Sequence, residues 1–139
     1  MRADLIIVGA GMVGSALALA LREQGLECLV LDGGPMRVEP FDASAGYEPR
    51  VSALSMASQR ILERLGAWPG VLARRSCPYS EMHVWDGSGT GNIHFSAGSV
   101  HALTLGHIVE NRVVQDALVE RLHASDVGLL ADARLERMR

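Results

Sequence analysis

"DLIIVGAGMVGSALALALREQGLECLVLDGG", residues 4–34, decides the fold of this chain. The continuous apolar run at residues 5–8 predicts a strand that is covered on both faces in a parallel sheet. The helix formers from residue 12 to about residue 24 predict a helix that ends at the glycine following them. A second apolar run at residues 29–31 predicts another strand, and Asp32 ends it. This order predicts a strand–helix–strand unit with a right-handed crossover.

Three glycines separate the first strand from the helix. Gly9, Gly11 and Gly14 have the spacing G-x-G-x-x-G. In that spacing the first glycine permits a tight turn, the second lets the backbone approach a pyrophosphate, and the third lets helix and strand pack closely. A bound phosphate would meet the free N–H groups of the helix start, which includes Met12 and Val13. The loop therefore predicts a dinucleotide-binding site.

The acid at the end of the second strand indicates which dinucleotides fit. Asp32 stands where a carboxylate accepts hydrogen bonds from the adenosine ribose. A ribose 2′-phosphate would bring a second negative group to the same place, which disfavours NADP. This unit fits NAD or FAD and does not separate the two.

The rest of the chain continues the α/β pattern. In order, we predict a loop at 35–49, a helix from about 52 to 65, a β-hairpin at 81–97, a strand within 101–109, a helix at 111–124 and a third parallel strand at 127–131. Each of these two helices should bury one face. The buried residues of the first are predicted to be Leu54, Ala57, Ile61, Leu62 and Leu65. Those of the second are predicted to be Val114, Ala117, Leu118 and Leu122. Residues 135–138 begin another strand-like pattern and stop, so we expect this chain to be part of a longer one.

Composition limits the classes of function. The 139 residues allow one packed core, with 48% apolar and 21% charged residues. The net charge of −3 gives no electrostatic reason to expect a nucleic-acid partner. The pair Arg74–Arg75 is accordingly interpreted as a solvated loop. Cys28 is interpreted as a small core residue, and neither the two cysteines nor the five histidines have a metal-binding or redox spacing.

No segment predicts secretion or a membrane span. The first four residues lead directly into a strand, which leaves no room for a signal peptide. Glycines and charges interrupt every apolar stretch well short of a spanning helix. We therefore expect a cytoplasmic protein without a transmembrane segment.

Three stretches beyond the nucleotide unit carry a family resemblance. They are "EPRVSALSMASQRILERLGAW" (48–68), "MHVWDGSGTGNIHF" (82–95) and "LGHIVENRVVQDAL" (105–118). Together with the glycine loop they resemble the FAD-dependent aromatic hydroxylases of ubiquinone biosynthesis, in the branch near 2-octaprenylphenol hydroxylase. The resemblance implies a Rossmann-like FAD-binding domain with a parallel sheet and an inserted β-hairpin. It also implies that residues 1–139 are the N-terminal part of a two-domain flavoprotein monooxygenase, whose remaining FAD motifs and most of whose substrate domain lie further along the chain.

The resemblance assigns cofactor contacts outside the glycine loop. Asp32 stands where the family usually has glutamate. Arg50 matches a family arginine beside the phosphate and ribityl region of FAD, and Asn111 matches a polar residue that binds the FAD linker. From the residues alone, Arg50 would donate from a predicted helix start, or would form a surface ion pair with Glu48 or Glu63. Asn111 would be the N-cap of its helix.

The same resemblance implies the reaction. FAD would carry it, NAD(P)H would supply electrons, and a polyprenylated phenol would receive one oxygen atom of O2. Because the cofactor carries the chemistry, no catalytic side chain is assigned. The resemblance allows a peripheral contact with the inner membrane face and a place in a complex of biosynthetic enzymes. Two alternatives stay open: an NAD-dependent dehydrogenase and a non-catalytic nucleotide-binding module.

Overall fold

The computed structural model describes residues 3–137, so Met1, Arg2, Met138 and Arg139 lie outside the description. The helices are α1 Met12–Arg22, α2 Met56–Arg64, α3 Trp68–Arg74 and α4 Asn111–His123, with a short 3₁₀ turn at Ala97–Val100. The strands are β1 Leu5–Val8, β2 Cys28–Leu31, β3 Val51–Ser55, β4 Cys77–Tyr79, β5 Glu81–Trp85, β6 Asn92–Ser96, β7 Gly106–Glu110 and β8 Gly128–Leu130. Residues 135–137 of the expected last strand have no regular structure, and Met138 is not described.

The predicted parallel sheet is confirmed. Its strand order is β1–β2–β8, and Val30 on β2 lies opposite Ile7 on β1 and Leu129 on β8. The expectation that β1 is covered on both faces is wrong for the described residues. Ile6 is 60% exposed and Val8 57% exposed, because their side chains lie on the face opposite to the half-buried Ile7, and the described residues leave that face largely uncovered.

Helices α1 and α4 pack against each other in a parallel pair. Arg22, the last residue of α1, forms an ion pair with Asp126, which lies just past the end of α4. At the other ends of the two helices, Ala10 and Gln115 line the same cavity. The N-termini of both helices therefore point in one direction, towards the loop after β1.

The second sheet was not predicted. Its strand order is β3–β7–β4, and both pairings are antiparallel. The prediction of one helix over residues 52–65 is wrong at its beginning, because Val51–Ser55 pairs with β7 along its whole length, from Val51 opposite Glu110 to Ser55 opposite Gly106. Ser55 then caps α2, where its hydroxyl accepts the N–H of Ser58. Arg50 consequently precedes a strand and not a helix.

This correction changes the predicted buried face. Leu62 and Leu65 are buried as expected, whereas Ala57 and Ile61 are exposed. Leu54 is half-buried and contacts the core from β3. The predicted helical face had combined Leu54, which belongs to β3, with residues of α2 and the position after it.

Helix α4 supplies much of the core. Val113 and Val119 are buried. The four residues that were predicted to point inward are also buried: Val114, Ala117, Leu118 and Leu122. Trp68 packs into the same core and meets the ring of His107 edge-on, with 5.0 Å between the ring centroids. Cys28 is buried, as predicted.

The predicted hairpin is confirmed as β5–β6, with His83 directly opposite His94. The strand expected within residues 101–109 begins only at Gly106. Leu103 is 95% exposed in the loop before this strand.

The interpretation of Arg74–Arg75 as a solvated pair is wrong. The Arg74 side chain is 10% exposed and donates to Glu120 on α4. The Arg75 side chain is 19% exposed and lies beside Glu110. Charge alone could not predict this, because both acids come from α4 or the strand before it.

Within residues 3–137 no helix is long and apolar enough to cross a membrane. In the same part of the chain, no three or more His, Cys, Asp or Glu side chains converge as a group that could bind a metal ion.

The described packing of α2 can be tested with two adjacent residues. We expect Leu62→Ala to lower the free energy of unfolding by about 2–4 kcal/mol, because it leaves a cavity in the core. Ile61→Ala should change it by less than about 0.5 kcal/mol, because that side chain is 54% exposed. Urea unfolding of both variants is the measurement. Equal losses at the two positions would contradict the described packing.

Candidate functional site

The glycine loop connects β1 to α1 by a tight turn. Gly9 has φ = +104°, a conformation that other residues rarely adopt, and its N–H donates to the carbonyl of Leu31 at 2.7 Å. A Cβ atom at Gly14 would lie 2.0 Å from the carbonyl oxygen of Gly9. Glycine is therefore required at both positions by the fold itself.

Gly11 differs from these two glycines. Its φ of −68° suits any residue, and a Cβ atom there would meet nothing within 4 Å in the described structure. It is the N-cap residue of α1, and within residues 3–137 no side chain caps this helix end. The N–H groups of the first turn, at Met12 and Val13, therefore border open space, and Val13 is 80% exposed. Helix ends of this kind bind anions.

Asp32 closes the loop from the neighbouring strand. Its Oδ2 accepts the N–H of Ala10 at 2.6 Å, and its Oδ1 accepts the N–H of Gly34 at 2.7 Å. A carboxylate has about four lone-pair sites, so two hydrogen bonds leave capacity for a hydroxyl donor. Behind the loop, the buried Ser15 donates from its hydroxyl to the carbonyl of Ala10 at 2.9 Å.

Arg50 and Asn111 are brought together by the second sheet. The N–H of Asn111 donates to the carbonyl of Arg50 at 2.9 Å, one step beyond the end of the β3–β7 ladder. Asn111 is the first residue of α4 and not its N-cap, which is Glu110. The Asn111 side chain instead accepts a hydrogen bond from the hydroxyl of Ser52 at 2.6 Å.

The Arg50 side chain is exposed, and the ion pairs considered for it are not formed within residues 3–137. Glu48 lies 3.9 Å from Arg112 instead, and Glu63 accepts a hydrogen bond from Gln59. The positive charge of Arg50 is thus available to a ligand.

Residues of α4 line two cavities near these groups of residues. Ala10, Asp32, Gln115 and Asp116 line a cavity of about 130 Å³ on the side of the loop. Asp116 also lines a second cavity, together with Arg112 and residues of the 40–48 segment. Burial raises the pKa of Asp116, and the charge of Arg112 at 3.6 Å counteracts part of that shift.

Two polar residues next to this site were not predicted from the sequence. Glu110 is 5% exposed, and its Oε1 accepts the N–H of Glu48 at 2.8 Å. Ser52 contacts Asn111 directly. The acid that ends the apolar run "GHIVE" was the available signal for Glu110, whereas Ser52 could be found only once β3 was recognised as a strand.

Comparison with known proteins agrees with this geometry. Residues 7–36, which contain the loop and Asp32, match the family model described as an NAD(P)-binding Rossmann-like domain. The fold is similar to that of PqsL from Pseudomonas aeruginosa, described as a probable FAD-dependent monooxygenase, with a TM-score of 0.66 and 23% identity over 99% of this chain and 35% of that one. It is also similar to CmlS, a flavin-dependent halogenase, with a TM-score of 0.68 and 18% identity over 95% of this chain and 23% of that one.

The sequence relatives are more specific. Ubiquinone hydroxylase UbiL of Rhodospirillum rubrum is 37% identical over 99% of this chain and 31% of its own length. The 3-demethoxyubiquinol 3-hydroxylase of Escherichia coli is 39% identical over 87% of this chain and 30% of its own length. The human mitochondrial ubiquinone biosynthesis monooxygenase COQ6 is 34% identical over 87% of this chain and 26% of its own length. The chain spans about a third or less of each relative.

These matches confirm the resemblance found in the sequence. By sequence, the chain is homologous to the N-terminal portion of the hydroxylases of ubiquinone biosynthesis.

Proposed function

We propose that this chain forms the FAD-binding part of a flavoprotein monooxygenase that hydroxylates a polyprenylated phenol ring in ubiquinone biosynthesis. The observation that carries the proposal is the loop from Gly9 to Gly14, which is closed by Asp32 and open in front of Gly11. The homology to ubiquinone hydroxylases supports the choice of a flavin over other dinucleotides.

The residues of the loop fit a diphosphate. Gly11 leaves room for a ligand where a larger residue would place side-chain atoms, and the fold gives no other reason for glycine there. The free N–H groups at Met12 and Val13 and the positive end of α1 favour a negative group at the same place. Asp32, already fixed by two amides, would accept hydrogen bonds from the adenosine ribose.

Arg50 and Asn111 would bind the next part of the cofactor. Arg50 brings a charge that has no ion-pair partner within residues 3–137, which suits the diphosphate and ribityl region. Asn111 stands at the start of α4, where its amide N–H₂ remains a donor while its oxygen accepts from Ser52. The cavity beside Asp116 is lined by Ala10 of the loop, by Asp32 and by Gln115, one turn of α4 after Asn111.

Bound FAD would supply the redox chemistry, which is uptake of electrons from NAD(P)H and activation of O2 for transfer of one oxygen atom to a phenol, with the other leaving as water. The described residues would bind and orient the cofactor. None of them is assigned as an acid or base of the reaction. A substrate with a polyprenyl tail further suggests work at the inner membrane face, next to other enzymes of the same biosynthesis.

One alternative function has a specific observation in its favour. The family model matched by residues 7–36 covers NAD(P)-binding domains, and an NAD-dependent dehydrogenase uses the same first unit. An acid at position 32 is compatible with NAD as well as with FAD. Ligand preference decides between the two functions.

We expect the chain to bind FAD and ADP, to bind FMN at least about tenfold more weakly because FMN lacks the ADP part, and to prefer FAD to NAD⁺. Gly11→Val should remove FAD and ADP binding by filling the open space in front of α1. Gly87→Val is the matched control, because Gly87 also has open space around its Cβ position and lies at the tip of the hairpin. Isothermal titration calorimetry measures the affinity of each variant for FAD, ADP, FMN and NAD⁺.

Tighter binding of NAD⁺ than of FAD would contradict the proposal and favour the dehydrogenase. The activity is tested by replacing the matching N-terminal segment of the Escherichia coli 3-demethoxyubiquinol 3-hydroxylase with this chain. The chimera should retain FAD and oxidise NAD(P)H in the presence of a prenylated phenol. FAD retention without NAD(P)H oxidation would contradict the hydroxylase and favour a binding module.

A further inference from the structure

We propose that Arg75 and Glu110 form a positioning pair that fixes Arg50 and Asn111 for binding the flavin side of the cofactor. The inference rests on the proposed function, because it concerns how that same site is assembled. Neither residue belongs to the glycine loop, and neither was assigned a role from the sequence.

Arg75 fastens a segment that has no regular structure. Its guanidinium carbon lies 4.4 Å from the ring centroid of Tyr47 and 5.1 Å from that of Phe41. Two of its nitrogens donate to the carbonyl of Ala45, at 3.4 and 3.3 Å. Cation–π contacts and hydrogen bonds thus tie the 41–47 segment to the end of α3.

Glu110 connects Arg75 to the same segment from the other side. Its Oε2 lies 3.4 Å from Nε of Arg75 and is stabilised by that charge, although it accepts no hydrogen bond within residues 3–137. Its Oε1 accepts the N–H of Glu48 at 2.8 Å. Because the carboxylate is 5% exposed, removal of the arginine would leave a buried charge without its counter-ion.

Glu110 and the backbone of Glu48, which it binds, are both close in sequence to the proposed cofactor contacts. Glu110 directly precedes Asn111, and Glu48 lies two residues before Arg50. The hydrogen bond from Asn111 N–H to the Arg50 carbonyl joins the two backbones at that point. A shift of Glu110 or of the Glu48 backbone would therefore move Arg50 and Asn111.

Arg75 and Arg50 have different roles because only one of the two charges is already paired. Arg75 is largely buried, and its charge is paired with Glu110, so it is not available to a phosphate. Arg50 is exposed and has no ion-pair partner in the described part of the chain. Arg75 would act on the cofactor through Arg50 and Asn111, and not by contact.

The test compares FAD with AMP in the same chain, because AMP lacks the second phosphate, the ribityl chain and the flavin, which Arg50 and Asn111 would contact. We expect Arg75→Met to weaken FAD binding about five- to tenfold, a usual size for coupling between sites, and to change AMP binding by less than about twofold. In an Arg50→Met background, Arg75→Met should have less than about a twofold further effect on FAD binding, since both changes act through one contact.

Arg74→Met is the matched control. Arg74 is also buried and also paired with an acid, Glu120, but its contacts tie α3 to α4 and not to the 41–48 segment. It should lower stability while leaving the ratio of FAD to AMP affinity unchanged. Circular dichroism verifies that each variant is folded.

An unchanged FAD affinity in Arg75→Met, or fully additive effects with Arg50→Met, would overturn the positioning pair while FAD binding by the unaltered chain still supports the proposed function. Failure of the unaltered chain to bind FAD would instead overturn the proposed function. If Arg75→Met does not fold, Glu110→Gln provides the same comparison with the side-chain size retained. Loss of folding in both variants would overturn the inference, because the pair would then serve stability alone.

Discussion

The carboxylate of Asp32 joins the loop after β1 to the turn after β2. It accepts one amide from the loop after β1 and one from the turn after β2, at 2.6 and 2.7 Å. These hydrogen bonds fix where the chain leaves each strand and so where α1 begins. The close approach of Gly14 to Gly9 then sets α1 against β1. One acid and two glycines thus define the direction in which the free N–H groups of α1 point.

The type of an element was predicted correctly where its local pattern fits only one structure. This holds for the apolar runs of β1 and β2, for α1, for the alternation of β5 and β6, and for the inward face of α4. The prediction of one helix over residues 52–65 was wrong because "VSALS" has the alternation of a strand, while Leu54 also fits a helical face with Ile61 and Leu62. Pairing with β7 decides for the strand, and that pairing joins residues too far apart in sequence for local pattern to detect.

Some residues of the candidate site could likewise be predicted from local sequence, and others could not. Spacing alone located the glycine loop and Asp32, since Gly9 and Gly14 meet requirements of the local fold and Gly11 keeps its place in the same spacing. Arg50 and Asn111 came from family resemblance, and the structure makes them neighbours through one backbone hydrogen bond. Arg75 was misjudged as solvated because its partners, Tyr47 and Glu110, come from a loop and from a distant strand. Pairing of buried charges depends on the tertiary fold, which charge counting does not include.

The proposed cofactor site depends on binding of a flavin diphosphate by the amides after β1. Backbone amide chemical shifts of the isotope-labelled chain, followed by NMR during addition of FAD, test this contact residue by residue. We expect the largest changes on residues 9–14 and on Gly34, next to Asp32. Changes concentrated at the opposite ends of α1 and α4, around Arg22 and Asp126, with the loop amides unaffected, would contradict it.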